Sequence, residues 1–128
     1  MKNTTDADKS GKGHNEEMIL GGNIALVGFE ILDPAELIIV KKIVGGYVKK
    51  MGNSGDYQDM RLVLQQHPHG KSFKHEIVGK ANFKEGQFNS NAMEWNLYTA
   101  ISQVCDGILE GVVHARRKED EHKIKTQG

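Results

Sequence analysis

One cysteine, one tryptophan and two prolines stand in 128 residues, and 17 basic residues are balanced by 17 acidic ones. A lone Cys105 cannot close an internal disulfide, so a reducing, intracellular setting is expected. A formal net charge of zero removes any global pull toward nucleic acid, and such binding would need a local basic patch. No apolar run approaches the roughly 20 residues that span a bilayer. The polar N-terminus has no apolar stretch of the secretory kind, so neither a membrane span nor a signal peptide is expected. The phosphate-loop, dinucleotide and nucleophile-elbow patterns are all missing.

Other candidates for chemistry are thin. His67, His69 and His75 lie close in sequence, but no carboxylate or cysteine accompanies them at ligand spacing, and a solvated turn is the simpler reading. Cys105 lacks an obvious histidine or basic activator and reads as a structural thiol. Asp106 and Glu110 stand one helical turn apart on an outer face, where solvated acids are expected. No enzyme, no cofactor, no metal and no small-molecule substrate is anticipated.

What is present is a clear change of hydrophobic period. In residues 86–92, Phe88, Ser90 and Ala92 alternate with Gln87, Asn89 and Asn91 as in a strand. Leu97, Ile101, Val104, Cys105, Ile108 and Val112 then recur at helical steps, with Asn96 as the N-cap. Upstream, residues 23–32 read as a buried strand. Asp33, Pro34 and Glu36 form a strong helix start, and that helix is expected to run to about Met51 with Gly52 after it. Leu37, Val40, Val44, Tyr47, Val48 and Met51 make its sheet-facing stripe. Gly45 and Gly46 inside it cost about 1 kcal/mol each against alanine. Residues 57–66 alternate with Met60, Leu62 and Leu64 inward; residues 67–72 read as a turn, and 73–83 as the returning strand.

The expected order is β-α-β-β-β-α, an α+β fold with two helices on one face of a four-stranded, mostly antiparallel sheet. Residues 1–21 read as a disordered tail, 22–118 as the domain and 119–128 as a charged C-terminal tail.

The basic residues suggest a contact surface. Lys41, Lys42, Lys49 and Lys50 lie on the first helix, and Arg116, Arg117 and Lys118 near the end of the second. Neighbouring helices would join them in a positive strip for phosphates; ordinary solubilising charge is the alternative. Exposed aromatics are scarce. Trp95 and Tyr57 are the only candidates, so single-strand recognition by base stacking is not expected.

Residues 23–118 resemble the ribosome hibernation-promoting factor and protein Y family, which shares this element order. Asp33-Pro34-Ala35 resembles the Thr-Pro-Ala opening of that family's first helix, and 86–92 its alternating strand. Asn96-Leu97-Tyr98-Thr99-Ala100-Ile101 resembles the Asp-Met-Tyr-Thr/Ala-Ala-Ile signature of its second helix. The resemblance implies a fold related to the double-stranded RNA-binding domain. It also implies a cytoplasmic, non-enzymatic factor that binds small-subunit rRNA through both helices and silences idle ribosomes. Lys49 and Lys118 match basic positions of the family; Ile43, Gly46, Gly107, Glu110 and His114 stand where its members often carry Lys or Arg. A second reading is a protein–protein or homodimer module on the same fold. It would use Ile38, Ile39 and Ile43 beside Gly45 and Gly46, with Gly107 and Gly111 on the other helix. Coverage of those isoleucines by Met18 to Leu20 is the plainer alternative.

Overall fold

The computed structural model describes residues 16–127, with side chains through residue 120. The expected N-terminal tail therefore lies outside the described residues up to position 15, and so does Gly128. The described residues form strands β1 (Glu17–Leu20), β2 (Ile24–Val27), β3 (Tyr57–His69), β4 (Ser72–Phe83) and β5 (Gly86–Glu94). Helices α1 (Pro34–Ser54) and α2 (Leu97–Gln127) complete the fold. Strand order in the sheet is β1-β2-β3-β4-β5. The β2–β3 pair is parallel and the other three pairs are antiparallel. The expected α+β class holds, but the four-stranded, mostly antiparallel sheet is corrected to a five-stranded mixed one.

The extra strand corrects the tail as well, because residues 17–20 pair with β2 rather than trailing into solvent. Its connection turns on Gly22 and Asn23, both at left-handed φ (79° and 58°). Asn23 suits that conformation, and it is held there from three sides. Its carbonyl accepts from the Met60 amide at 3.0 Å and from the Tyr57 hydroxyl at 3.2 Å, while its Nδ2 donates to the Gln58 carbonyl at 2.9 Å.

The strand expected over 23–32 stops at Val27. Gly28 takes φ 83°, and a single 3-10 turn (Phe29–Ile31) then carries the fully buried Phe29 into the core. An apolar run shows burial but does not show where a left-handed glycine ends the strand.

Helix α1 opens as its chemistry requires. Asp33 Oδ1 accepts from the Glu36 amide at 2.8 Å and Glu36 Oε1 accepts from the Asp33 amide at 3.0 Å, with Pro34 in the first turn. It continues past Gly52 to Ser54, and the Gly55 amide closes it on the Met51 carbonyl. A side chain at Gly55 would meet Val112 of α2 at 2.8 Å and Phe83 at 3.1 Å. The glycine that ends α1 is therefore chosen by packing.

β3 and β4 are longer than the breaker-rich segment 67–72 suggests. The hairpin closes tightly at Gly70 (φ 62°) and Lys71, with His69 opposite Ser72 and Pro68 opposite Phe73. Proline is tolerated because β2 pairs β3 only over Met60–Val63, so no ladder needs its missing N–H.

Both helices cover the same sheet face. Met60, Leu62, Leu64, Ile77 and Ala81 rise from the sheet to meet Val40, Val44 and Met51 of α1 and Ile101, Val104, Ile108 and Val112 of α2, all of them buried. Asn96 caps α2, its Oδ1 accepting from the Thr99 amide at 2.9 Å. Close approach of α2 to the sheet depends on small residues. A Cβ on Gly79 would overlap Val104, one on Gly107 would overlap the Ser90 hydroxyl, and one on Gly111 would stand 2.9 Å from the Phe88 ring.

Candidate nucleic-acid interface

Burial of one side of α1 leaves its other side to water. Lys41, Lys42, Lys49 and Lys50 are all exposed on that outer side. Lys50 Nζ lies over the Tyr47 ring, 5.1 Å from its centroid. Tyr47 in turn faces α2: its hydroxyl pKa is raised, first by burial and then by a hydrogen bond with Asp106. Asp106 is thus at the seam between the helices, level with the second lysine pair.

That placement decides the shape of the positive surface. Asp106 and Glu110 are exposed on α2, and its basic group begins only at Arg116, ten residues or about 15 Å further along the axis. The lysines of α1 and the group Arg116, Arg117 and Lys118 are on different helices, and the exposed acids of α2 lie ahead of the second group. Within that second group Arg116 is engaged. Its Nη1 donates to Glu85 Oε2 at 3.2 Å, and the same carboxylate accepts from the Asp56 amide at 3.0 Å. These contacts hold the Glu85 carboxyl below its usual range, the Asp56 amide foremost. Arg117 and Lys118 are exposed.

The apolar candidates divide as well. Ile38 and Ile39 are 63% and 43% exposed, and Gly45 and Gly46 have open space beside them. Ile43 is half-buried against the core. Gly107 and Gly111 face Ser90 and Phe88, so they serve α2 packing and are no free small-residue surface. Met18 and Leu20 lie in β1 and pack on the core from the sheet edge.

The three histidines do not converge. His67 is on the open sheet face with its Nε2 2.7 Å from Glu76 Oε1, whereas His75 is on the helix face beside Gln66. Burial lowers the His75 pKa, and Glu36 opposes that shift. Among the described residues no group of three or more His, Cys, Asp or Glu is gathered for a metal. The Cys105 thiol is buried and its pKa is pushed up to about 12, by burial first and then by Asp106, which keeps it protonated. No described helix is long and apolar enough to cross a membrane.

The open sheet face is less polar than its sequence suggests. Val78 and Met93 are 44% and 43% exposed there, and Trp95 is 54% exposed at one corner. The Trp95 ring meets His69 edge-on at 5.4 Å and has Lys74 Nζ 5.2 Å from its centroid. Alternation along β4 and β5 is the only sequence signal that assigns these residues to one face.

Two-layer α+β architecture with both helices on one side of a mixed sheet defines the class of this domain. No protein-family model matches the chain, and no curated protein matches it. Among solved structures it is similar to the crystal structure of the Thermus thermophilus protein Y N-terminal domain. That likeness spans 76% of this chain and 98% of that one, with 18% identity and a TM-score of 0.50. At that identity it establishes the fold, and the family resemblance read from the sequence agrees with it.

Proposed function

We propose that this chain is a non-enzymatic, cytoplasmic, ribosome-associated factor of the hibernation type. It binds rRNA of the small subunit and keeps idle ribosomes from translating, with no cofactor and no chemical step. The observation that carries the reading is α1, where Lys41, Lys42, Lys49 and Lys50 are all exposed on the side that the core leaves free, on a fold shared with protein Y. Arg117 and Lys118 extend the contact, and Arg116 joins it from its place beside Glu85. The four α1 lysines at phosphates alone release enough counterions for affinity to fall with salt at a logarithmic slope of about −3 or steeper.

Cosedimentation with purified small subunits across a salt series tests this. Binding at low salt with that steep slope is expected, and Lys41→Glu with Lys42→Glu should weaken it at least about tenfold while leaving the thermal midpoint in place. Absence of binding at every salt concentration would overturn the reading.

The exposure of Ile38 and Ile39 beside Gly45 and Gly46 favours a second reading, a protein partner or second copy docked on α1. Sedimentation equilibrium of the purified chain tests the second-copy form: a concentration-dependent dimer abolished by Ile38→Glu supports it, and a monomer at all concentrations removes it.

A further inference from the structure

Trp95 is the only tryptophan in the chain, and 54% of it is in water. It stands at the corner where the tip of the β3–β4 hairpin meets the start of α2, on the sheet face away from both helices. Its setting is ordered. His69 packs against it at 5.4 Å with the rings 76° apart, and the Lys74 ammonium sits 5.2 Å from the ring centroid. Lys71, exposed in the hairpin turn, adds a second ammonium at the same tip. The acids on this face are engaged: Glu76 by His67 at 2.7 Å, Glu17 by Arg61 at 2.7 Å, and Asp59 by the Asn82 amide at 2.8 Å. Glu94 precedes Trp95 but alternates to the helix side.

An indole left in water gains free energy when a partner covers it, and Val78 and Met93 leave further apolar surface on the same face. Here the cover must tolerate an ammonium over the ring, a second ammonium in the hairpin turn and an imidazole against the ring, which disfavours basic peptides and favours phosphate. With the Lys74 ammonium over the ring and Lys71 in the same hairpin tip, a base stacked on the remaining face has cations close to its flanking phosphates. Holding the ring against His69 before binding reduces the ordering cost on association.

Against the expectation drawn from the scarcity of exposed aromatics, we propose that Trp95, Lys74 and Lys71 form a stacking site for one unpaired base of single-stranded RNA. Trp95 supplies the face, and the two lysines meet the phosphates on either side. The inference deepens the rRNA reading and rests on it for the ligand class. It also adds a contact on the sheet face opposite the α1 lysines, so RNA is met from two sides. Stacking of this kind carries no base preference.

The test uses the full chain and an unstructured oligouridylate of about 12 nucleotides. Tryptophan fluorescence reports on this corner alone, because Trp95 has no other tryptophan to mask it. Saturable quenching at low salt is expected. Trp95→Ala should weaken oligonucleotide binding, read by anisotropy of a labelled strand, roughly tenfold, with an unchanged thermal midpoint. Lys74→Gln should lower the salt slope by about 1. Binding without quenching places the strand elsewhere and overturns the proposal, as does unaltered affinity in Trp95→Ala or no binding at low salt. The ribosomal reading fails separately: cosedimentation without quenching removes the stacking site alone, and quenching without cosedimentation leaves the stacking site standing.

Discussion

In α2, Gly107 and Gly111 face Ser90 and Phe88 of β5, whereas in α1 Gly45 and Gly46 look into open space. Both pairs sit inside long helices, and both cost the helix about 1 kcal/mol per residue against alanine. The α2 pair returns that cost as close approach to the sheet. No neighbour among the described residues explains the α1 pair. A helical glycine therefore carries no structural meaning until the element beneath it is known, and the two helices differ in what lies beneath.

The largest test of this contrast fills the α2 glycines. Gly107→Val together with Gly111→Val should destabilise the fold by about 3 kcal/mol or more, since Ser90 and Phe88 must move and the helix must lift. Urea unfolding measures it, and a loss below about 1 kcal/mol would mean that α2 does not need the space. The opposite sign is expected on the other helix. Gly45→Ala with Gly46→Ala should stabilise by about 1 to 2 kcal/mol, through helix propensity alone. A loss of stability there would reveal a neighbour for α1 and erase the contrast.

A smaller effect sharpens the comparison where the helices are tied together. Glu85 links the end of α1, through the Asp56 amide, to Arg116 of α2. Its carboxyl pKa is lowered, first by that amide. A depressed carboxyl stabilises the fold above its ordinary range and loses that contribution as pH falls through its folded value. Thermal midpoints should thus drop on acidification below the usual carboxylate range, and Glu85→Gln should flatten that part of the profile. An unchanged profile would show that Glu85 contributes nothing to the tie.

Much of the framework was legible beforehand. The capping box at Asp33, the Asn96 cap, the inward set of β3 and the alternation of β5 are local patterns, and local patterns survive folding. β1 was missed although Gly21-Gly22-Asn23 between two apolar runs is a hairpin signal, because the polar residues before it suggested a tail. The strand end at Gly28 and the helix end at Gly55 were unreadable for another reason: each depends on a contact or a φ angle set by distant chain. The α1 lysines could be placed on an outer face by helical spacing. The engagement of Arg116 by Glu85 and the gathering of His69 and Lys74 around Trp95 could not, since each joins separate elements.

Strand order in the sheet repeats strand order in the chain, and this has a kinetic meaning. β1–β2, β3–β4 and β4–β5 each close through a short turn, on the microsecond scale of hairpins. Only the parallel β2–β3 pair must wait for the whole of α1 to be crossed. Loop-closure entropy, spread over many long connections in other mixed sheets, is here concentrated in one. The chain is thus two quick local assemblies and a single long-range search, and that search passes through the helix that bears the lysines.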